Sequence, residues 1–211
     1  MTAVYLAKVN TELSEVQYAS LPPERRAKAD ALRKGGDRRL SAAAWLLLAR
    51  AVSDRGLEMP RALCGENGKP YFPTLPQLHF NLSHAGDTVM CVLGDKAVGC
   101  DVQVLCAGHT DMAKRYFHPR ELELLASVPE PVRDTLFCRI WSAKESVVKL
   151  TGEGVSQAMR RFFVDLAAGE SLCDGTRYYI KEINLDGYAA FACTAENEKT
   201  ELHFLPNCAI L

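Results

Sequence analysis

The 211-residue sequence has no apolar run long enough to cross a membrane. Its longest, Ala42 to Ala49, falls far short of the ~18–20 residues a bilayer span requires. The opening Met1-Thr2-Ala3-Val4-Tyr5-Leu6-Ala7-Lys8 lacks the basic segment and longer apolar stretch of a secretory signal, so a cytoplasmic protein without membrane attachment is expected. An excess of one charge sign is missing too. Lys and Arg number 25 against 26 Asp and Glu, a formal net charge of −1, which recruits neither nucleic acid nor anionic lipid. Eight cysteines are present, but no two form a C-x-x-C pair. Structural zinc sites usually take two such close pairs. A chain of this length with 48% hydrophobic residues has little need of a disulfide framework. The cysteines therefore read as reduced, buried small hydrophobes, Cys91 and Cys100 inside strands above all. A G-x-G-x-x-G loop is absent as well, which argues against a Rossmann-like or acetyltransferase-like pyrophosphate site.

What is present is an ordinary globular composition, 24% charged with 14 Gly and 10 Pro. That excludes disordered and collagen-like classes. The length suits one domain or two packed halves of ~105 residues each. Strands are predicted at 3–9, 89–93 and 97–105, and again at 161–166, 177–184 and 188–194. Pro22-Pro23-Glu24 opens a predicted helix to about residue 32. Gly35-Gly36-Asp37 breaks it, and further helices are predicted at 37–54, 111–126 and 131–151. A faint internal echo accompanies this order. Leu40-Ser41-Ala42 resembles Trp141-Ser142-Ala143, and Asn81-Leu82 resembles Asn184-Leu185, each roughly one hundred residues further on, which suggests a duplicated α+β unit.

Four groups of residues could carry chemistry. In Val98-Gly99-Cys100-Asp101-Val102-Gln103-Val104, strand alternation turns Asp101 and Gln103 to one face and the apolar residues to the other. A carboxylate and an amide oxygen there suit a hard cation such as Mg²⁺, although a merely solvated face reads the same way. In Trp141-Ser142-Ala143-Lys144-Glu145-Ser146-Val147-Val148-Lys149, Glu145 and Lys149 share a helix face. They read as a surface ion pair, as a metal ligand beside a phosphate contact, or, for Ser142 and Glu145, as a capping box. In Phe80-Asn81-Leu82-Ser83-His84-Ala85-Gly86-Asp87, Ser83 and His84 could donate to phosphate oxygens. A nucleophile–base pair is disfavoured, because adjacent side chains seldom face each other. Finally, Arg25, Arg26, Lys28, Arg33, Lys34, Arg38 and Arg39 stand against Glu24, Asp30 and Asp37, and with Lys69 could hold a polyanionic small molecule or simply form a solvated face.

In order along the chain, Gly68-Lys69-Pro70, Phe80-Asn81-Leu82-Ser83-His84, Gly99-Cys100-Asp101-Val102-Gln103 and the Trp141–Lys149 block resemble the motif series of the single-chain 4′-phosphopantetheinyl transferases. The resemblance implies an α+β fold of two similar halves related by a pseudo-two-fold, residues 1–105 and 106–211, with the active site in the cleft between them. It implies Mg²⁺-dependent transfer of 4′-phosphopantetheine from coenzyme A, the substrate, to a serine of an acyl or peptidyl carrier protein, releasing 3′,5′-ADP. The enzyme would be a monomer.

By the same resemblance Asp101, Gln103 and Glu145 would hold the metal, and Lys149 would reach the pyrophosphate. Ser83 and His84 would contact coenzyme A phosphates. Arg39 (or Arg38) and Lys28 would meet the 3′-phosphate, and Lys69 would join the coenzyme site. Glu121, in Phe117-His118-Pro119-Arg120-Glu121, would be a general base. Gln103 departs from the family pattern, where many members carry a glutamate. A degenerate relative that binds coenzyme A or a carrier protein without transfer is the alternative. The chemistry fits: attack on the β-phosphorus builds charge on pyrophosphate oxygens, which calls for electrostatic clamping and in-line positioning.

Overall fold

Strand β1 (Thr2–Lys8) is buried on both faces, and this sets the layering of the whole chain. Ala3, Tyr5 and Ala7 join one apolar cluster, while Val4 and Leu6 join another. In the computed structural model, which describes all residues except 33–34, 66, 109, 155–156 and 207–211, two sheets and two long helices stack around three such clusters. β1 is followed by α1 (Glu15–Ala19), α2 (Pro23–Asp30) and α3 (Gly35–Asp54), then a small hairpin of β2 (Leu63–Cys64) and β3 (Pro70–Tyr71). Strands β4 (His79–Ala85), β5 (Thr88–Gly94) and β6 (Val98–Val104) come next. Helices α4 (Thr110–Tyr116), α5 (Pro119–Ser127) and α6 (Glu130–Thr151) lead through a 3₁₀ turn at Gln157–Arg161 to β7 (Phe163–Asp165), β8 (Glu170–Cys173), β9 (Thr176–Glu182), β10 (Tyr188–Thr194) and β11 (Thr200–Leu205). The fold is α+β, as expected.

One sheet has the order β11-β1-β5-β4 and the other β6-β10-β9-β8-β7. Helix α3 packs on the first through Trp45, Leu47, Leu48 and Val52. Helix α6 packs on the second through Ile140, Ala143 and Val147. Between the sheets, Val4, Leu6, Met90 and Val92 meet Val98, Cys100, Val102 and Ala190. Cys91 and Cys100 are fully buried, in keeping with the strand reading. A boundary near residue 105 does not separate the sheets. β6 pairs antiparallel with β10, and β11 pairs parallel with β1, so each sheet holds a strand from the other end of the chain.

The differences from the predicted elements have local causes. The single helix predicted at 111–126 is two, because Pro119 keeps His118 out of helical geometry. His118 instead caps α5: its imidazole accepts from the Arg120 amide, and Glu121 accepts from the His118 amide at 2.8 Å. Gly35 and Gly36 lie within the start of α3 rather than before it. The capping box considered for Ser142 and Glu145 does not form, since both lie inside the continuous helix α6, and Ser142 donates to the Ala189 carbonyl. The echo is uneven. Ser41 and Ser142 occupy the two long helices, but Asn81 lies within β4 whereas Asn184 falls between β9 and β10.

Two glycines fix the site's walls. Gly86 opens the β4–β5 turn with φ +59°, and a Cβ there would stand 2.5 Å from the Tyr188 hydroxyl. That hydroxyl donates to Asp87 at 2.6 Å, tying the turn to the start of β10. Gly99 matters more. A Cβ on it would fall on the Ser146 carbonyl and within 2.5 Å of the Leu150 amide nitrogen, so α6 rests backbone to backbone on β6. Gly99→Ala is therefore expected to cost about 1–3 kcal/mol through overpacking. For a chain of this size that corresponds to a melting point lower by about 2–4 °C per kcal/mol, read by thermal denaturation.

Candidate active site

The edge of β6 away from β10 carries amide groups that no backbone ladder satisfies. Side chains of β4 meet them instead. Asn81 Oδ1 accepts from the Cys100 amide at 3.0 Å, and Ser83 Oγ accepts from the Val102 amide at 3.2 Å. The period is two on both strands, so Asn81 and Ser83 share a face of β4 and reach alternate amides of β6. Asn81, which the sequence reading quoted only within its motif, is thus a structural link between the sheets. Its spacing from Ser83 is the signal that could have revealed the role.

Asp101, on the face of β6 turned toward α6, is 4% exposed. Its Oδ1 accepts from Ser83 Oγ at 2.9 Å and from Lys149 Nζ at 2.6 Å. Lys149 also donates to Ser83 Oγ at 3.1 Å and lies 3.7 Å from Glu145 Oε2. The Ser83 hydroxyl therefore spends its one proton and both lone pairs within the cluster. Glu145 and Lys149 stand one helical turn apart on α6, as their spacing requires. Burial first, and the like charge of Asp101 second, raise the Glu145 carboxyl above its usual range, while Lys149 and a hydrogen bond with Trp141 oppose the rise. Burial alone would lower the Lys149 ammonium, but Asp101 and Glu145 outweigh it and the pKa is raised. The lysine is firmly charged.

Gln103 is half-buried two residues along β6 from Asp101. Among the described residues no group of three or more His, Cys, Asp or Glu side chains is arranged to hold a metal ion. Two carboxylates that already share one cation nevertheless fit Mg²⁺, which typically takes one or two protein carboxylates and completes its shell with water and phosphate oxygens.

Lys69 lies beside the cluster with its ammonium committed to backbone. It donates to the Leu150 carbonyl at 2.7 Å and the Val98 carbonyl at 3.3 Å, holding the Gly68-Lys69-Pro70 loop against the end of α6. A cation suits that helix end, and burial lowers the Lys69 pKa. A cavity of about 230 Å³ opens there, lined by Lys69, Asn81, Lys149 and Gly152 among others. The pKa of His84 is lowered, by desolvation first and then by the charge of Lys149, while Asp37 and Asp101 pull it the other way.

The basic residues gather at a second cavity of about 700 Å³, lined by Arg26, Arg38, Arg39 and Tyr18 with Glu12 and Asp30. Arg38 pairs with Asp30 at 2.9 Å and Arg39 with Glu12 at 3.4 Å. Lys28 is exposed on α2 and is not among the lining residues. Arg33 and Lys34 lie outside the described residues. Arg25, whose guanidinium covers the Trp45 ring at 4.5 Å, and Arg39 each bury an Nε with no hydrogen-bond partner among the described residues. Unsatisfied buried donors of this kind are uncommon and fit an anionic ligand.

Glu121 is not brought to the cluster. It is 2% exposed and accepts three hydrogen bonds. Oε1 accepts from Lys144 Nζ at 3.0 Å and the Val164 amide at 2.8 Å, and Oε2 accepts from the His118 amide at 2.8 Å and lies 2.9 Å from the Lys144 ammonium. Lys144, wholly buried in α6, also donates to the Phe162 carbonyl. Through these contacts Glu121 joins α5, α6 and β7.

Residues 97–199 match the family model of the 4′-phosphopantetheinyl transferase superfamily. The chain is 30% identical over 170 residues to the 4′-phosphopantetheinyl transferase Sfp of Bacillus subtilis, covering 74% of each protein. It is 36% identical over 160 residues to the 4′-phosphopantetheinyl transferase AcpT of Salmonella typhimurium, covering 72% of this chain and 75% of that one. A further Bacillus subtilis 4′-phosphopantetheinyl transferase is 42% identical over 102 residues, and there the chain spans only 45% of the relative's length. With three quarters of its length aligned to Sfp and the carboxylate–lysine cluster inside the matched region, the chain belongs to the 4′-phosphopantetheinyl transferase superfamily.

Proposed function

We propose that the chain transfers the 4′-phosphopantetheine group of coenzyme A to a serine of an acyl or peptidyl carrier protein. The observation that carries this reading is the convergence of Ser83 from β4, Asp101 from β6, and Glu145 and Lys149 from α6 on one set of hydrogen bonds. No single segment supplies it. In the reaction the serine oxygen bonds to the β-phosphorus, the bridging P–O bond breaks, and its electron pair leaves with 3′,5′-ADP. Charge grows on the pyrophosphate oxygens, and fixed cationic donors stabilise it best in a site shielded from water.

Lys149 is the mobile cation of that clamp, the His84 imidazole is a donor beside it, and Ser83, whose proton goes to Asp101, steadies the lysine. Asp101 and Glu145 would hold Mg²⁺, with Gln103 as a neutral oxygen; the ion supplies charge neutralisation on the pyrophosphate. Arg39 and Arg25, with their unsatisfied Nε groups, are suited to the 3′-phosphate. Lys28 would act from the exposed side of α2. Lys69 shapes the site by fixing its loop. Glu121 is occupied by Lys144 and two backbone amides, which argues against it as the base that takes the serine proton.

The remaining parts of the reading have narrower support. Two similar halves are supported by the matching succession β1, α3, β4, β5 and β6, α6, β9, β10, each with its outer strands antiparallel to the last. A cytoplasmic location fits free thiols at the seven described cysteines. No helix among the described residues is long and apolar enough to cross a membrane. Gln103, in place of a third carboxylate, favours as second reading a relative that binds coenzyme A or a carrier without transfer.

Incubation of an apo carrier protein with coenzyme A and Mg²⁺ is expected to add the phosphopantetheine mass to its serine, and chelation should stop the addition. Lys149→Met and Asp101→Ala are each expected to slow transfer by about 10²–10³-fold with unchanged circular dichroism. Mass spectrometry showing no product across a panel of carriers would reject the transferase reading. Coenzyme A binding without turnover would favour the second one.

The place of Glu121 gives a separate expectation. Breaking the buried pair in Lys144→Met should destabilise the protein by about 3–5 kcal/mol, whereas replacing both charges in Glu121→Leu/Lys144→Met should recover much of that loss. The double variant should also retain transfer activity. If it folds to the wild-type melting point but has lost activity, Glu121 is a base after all.

A further inference from the structure

Lys149 stands where it is least expected for a residue whose partner is a phosphate. Its ammonium lies 2.6 Å from Asp101 and 3.7 Å from Glu145, shared between the two carboxylates that fit a divalent cation. We infer that Lys149 is the site's internal counter-cation, which a metal ion must displace, so that divalent metal and coenzyme A bind tightly only together. This inference rests on the reading of the site given above, but its first test does not involve coenzyme A.

Charge balance carries the argument. Asp101, Glu145 and Lys149 together hold two negative charges and one positive, a net charge of only −1 in a partly buried site. A divalent ion entering alone meets carboxylates already paired. It also sets two cations side by side, a repulsion that weakens little with salt where water is excluded. Nothing else in the cluster absorbs it, because the hydroxyl of Ser83 is neutral and its proton and lone pairs are spent. A pyrophosphate changes the balance. It brings at least two negative charges and gives the ammonium a new partner, freeing the carboxylates for the metal.

The side chain can make that move. Lysine is a compact charge on a flexible four-carbon stem, and Lys149 is 29% exposed and lines the adjoining cavity. Its neighbours cannot follow: Asp101 is on a buried strand, and Glu145 is one turn back on α6. Each ligand therefore removes an obstacle to the other, and linkage requires that the gain be equal in both directions.

The test is Mn²⁺ binding to the full chain, followed by the loss of free-ion paramagnetic resonance signal. Without coenzyme A, Lys149→Met should bind Mn²⁺ about tenfold tighter than wild type or better, and Lys149→Arg, which keeps the charge, should not. Adding coenzyme A should tighten Mn²⁺ binding to wild type by about tenfold and to Lys149→Met far less. Adding Asp101→Asn to Lys149→Met should remove the tight site. Lys149→Gln serves in place of Lys149→Met if that variant does not fold. The inference is overturned if loss of the lysine charge leaves Mn²⁺ affinity unchanged or weakens it, or if coenzyme A binds but does not tighten Mn²⁺ binding to wild type. Failure of coenzyme A to bind, with Mn²⁺ still tighter on Lys149→Met, would instead reject the coenzyme A reading and leave the counter-cation in place.

Discussion

The seating of α6 on β6 at Gly99 is a contact of backbone on backbone, and the functional chemistry depends on it. Helix and strand approach so closely there that no side chain fits between them. Asp101 lies two residues along the strand, and Glu145 and Lys149 flank Ser146 on the helix. A wider gap would move the lysine beyond hydrogen-bonding reach of Asp101, and with it the link to Ser83. Lys69 secures the same joint from the other side by binding carbonyls of both elements, Val98 and Leu150. Packing of the main chain thus sets distances that the side chains alone could not maintain.

Two lysines five residues apart on α6 show how differently a buried cation can be used. Lys144 is wholly enclosed, and its partner Glu121 is held by two backbone amides besides the lysine. Such a pair has little reason to exchange partners, and removing one member strands the other's charge. Lys149 is partly exposed, is held by two carboxylates of unequal distance, and borders open space. The first arrangement suits fixing three elements in register. The second suits a group that changes partner during a reaction.

Much of this was legible in the residues, and the parts that were not share a cause. Periodicity places Asp101 with Gln103 and Glu145 with Lys149 on shared faces, and the order of the motifs points to one site. Strand β4 is not among the predicted strands, because Asn81, Ser83 and His84 interrupt the apolar pattern. Their polarity reflects bonding to the edge of β6, a partner that local pattern does not reveal. Glu121 has the same difficulty in reverse. Its position in the motif suggested a base, while the contacts that occupy its oxygens come from His118, Lys144 and Val164, the last of them 43 residues away. The seat of Lys69 on two carbonyls was equally hidden, since a lysine in a turn gives no sign of what it will cap.

The pairing of β1 with β11 joins Thr2 to Thr200. That contact spans almost the whole chain, and pairings of such separation form late because a long loop must be closed first. During synthesis one edge of β1 stays open until residues 200–205 have emerged, although β5 can already cover the other edge. An open strand edge is a template for association with other chains. Strand β11 therefore covers the edge of β1 that β5 leaves open, and it can do so only after some two hundred residues have been made.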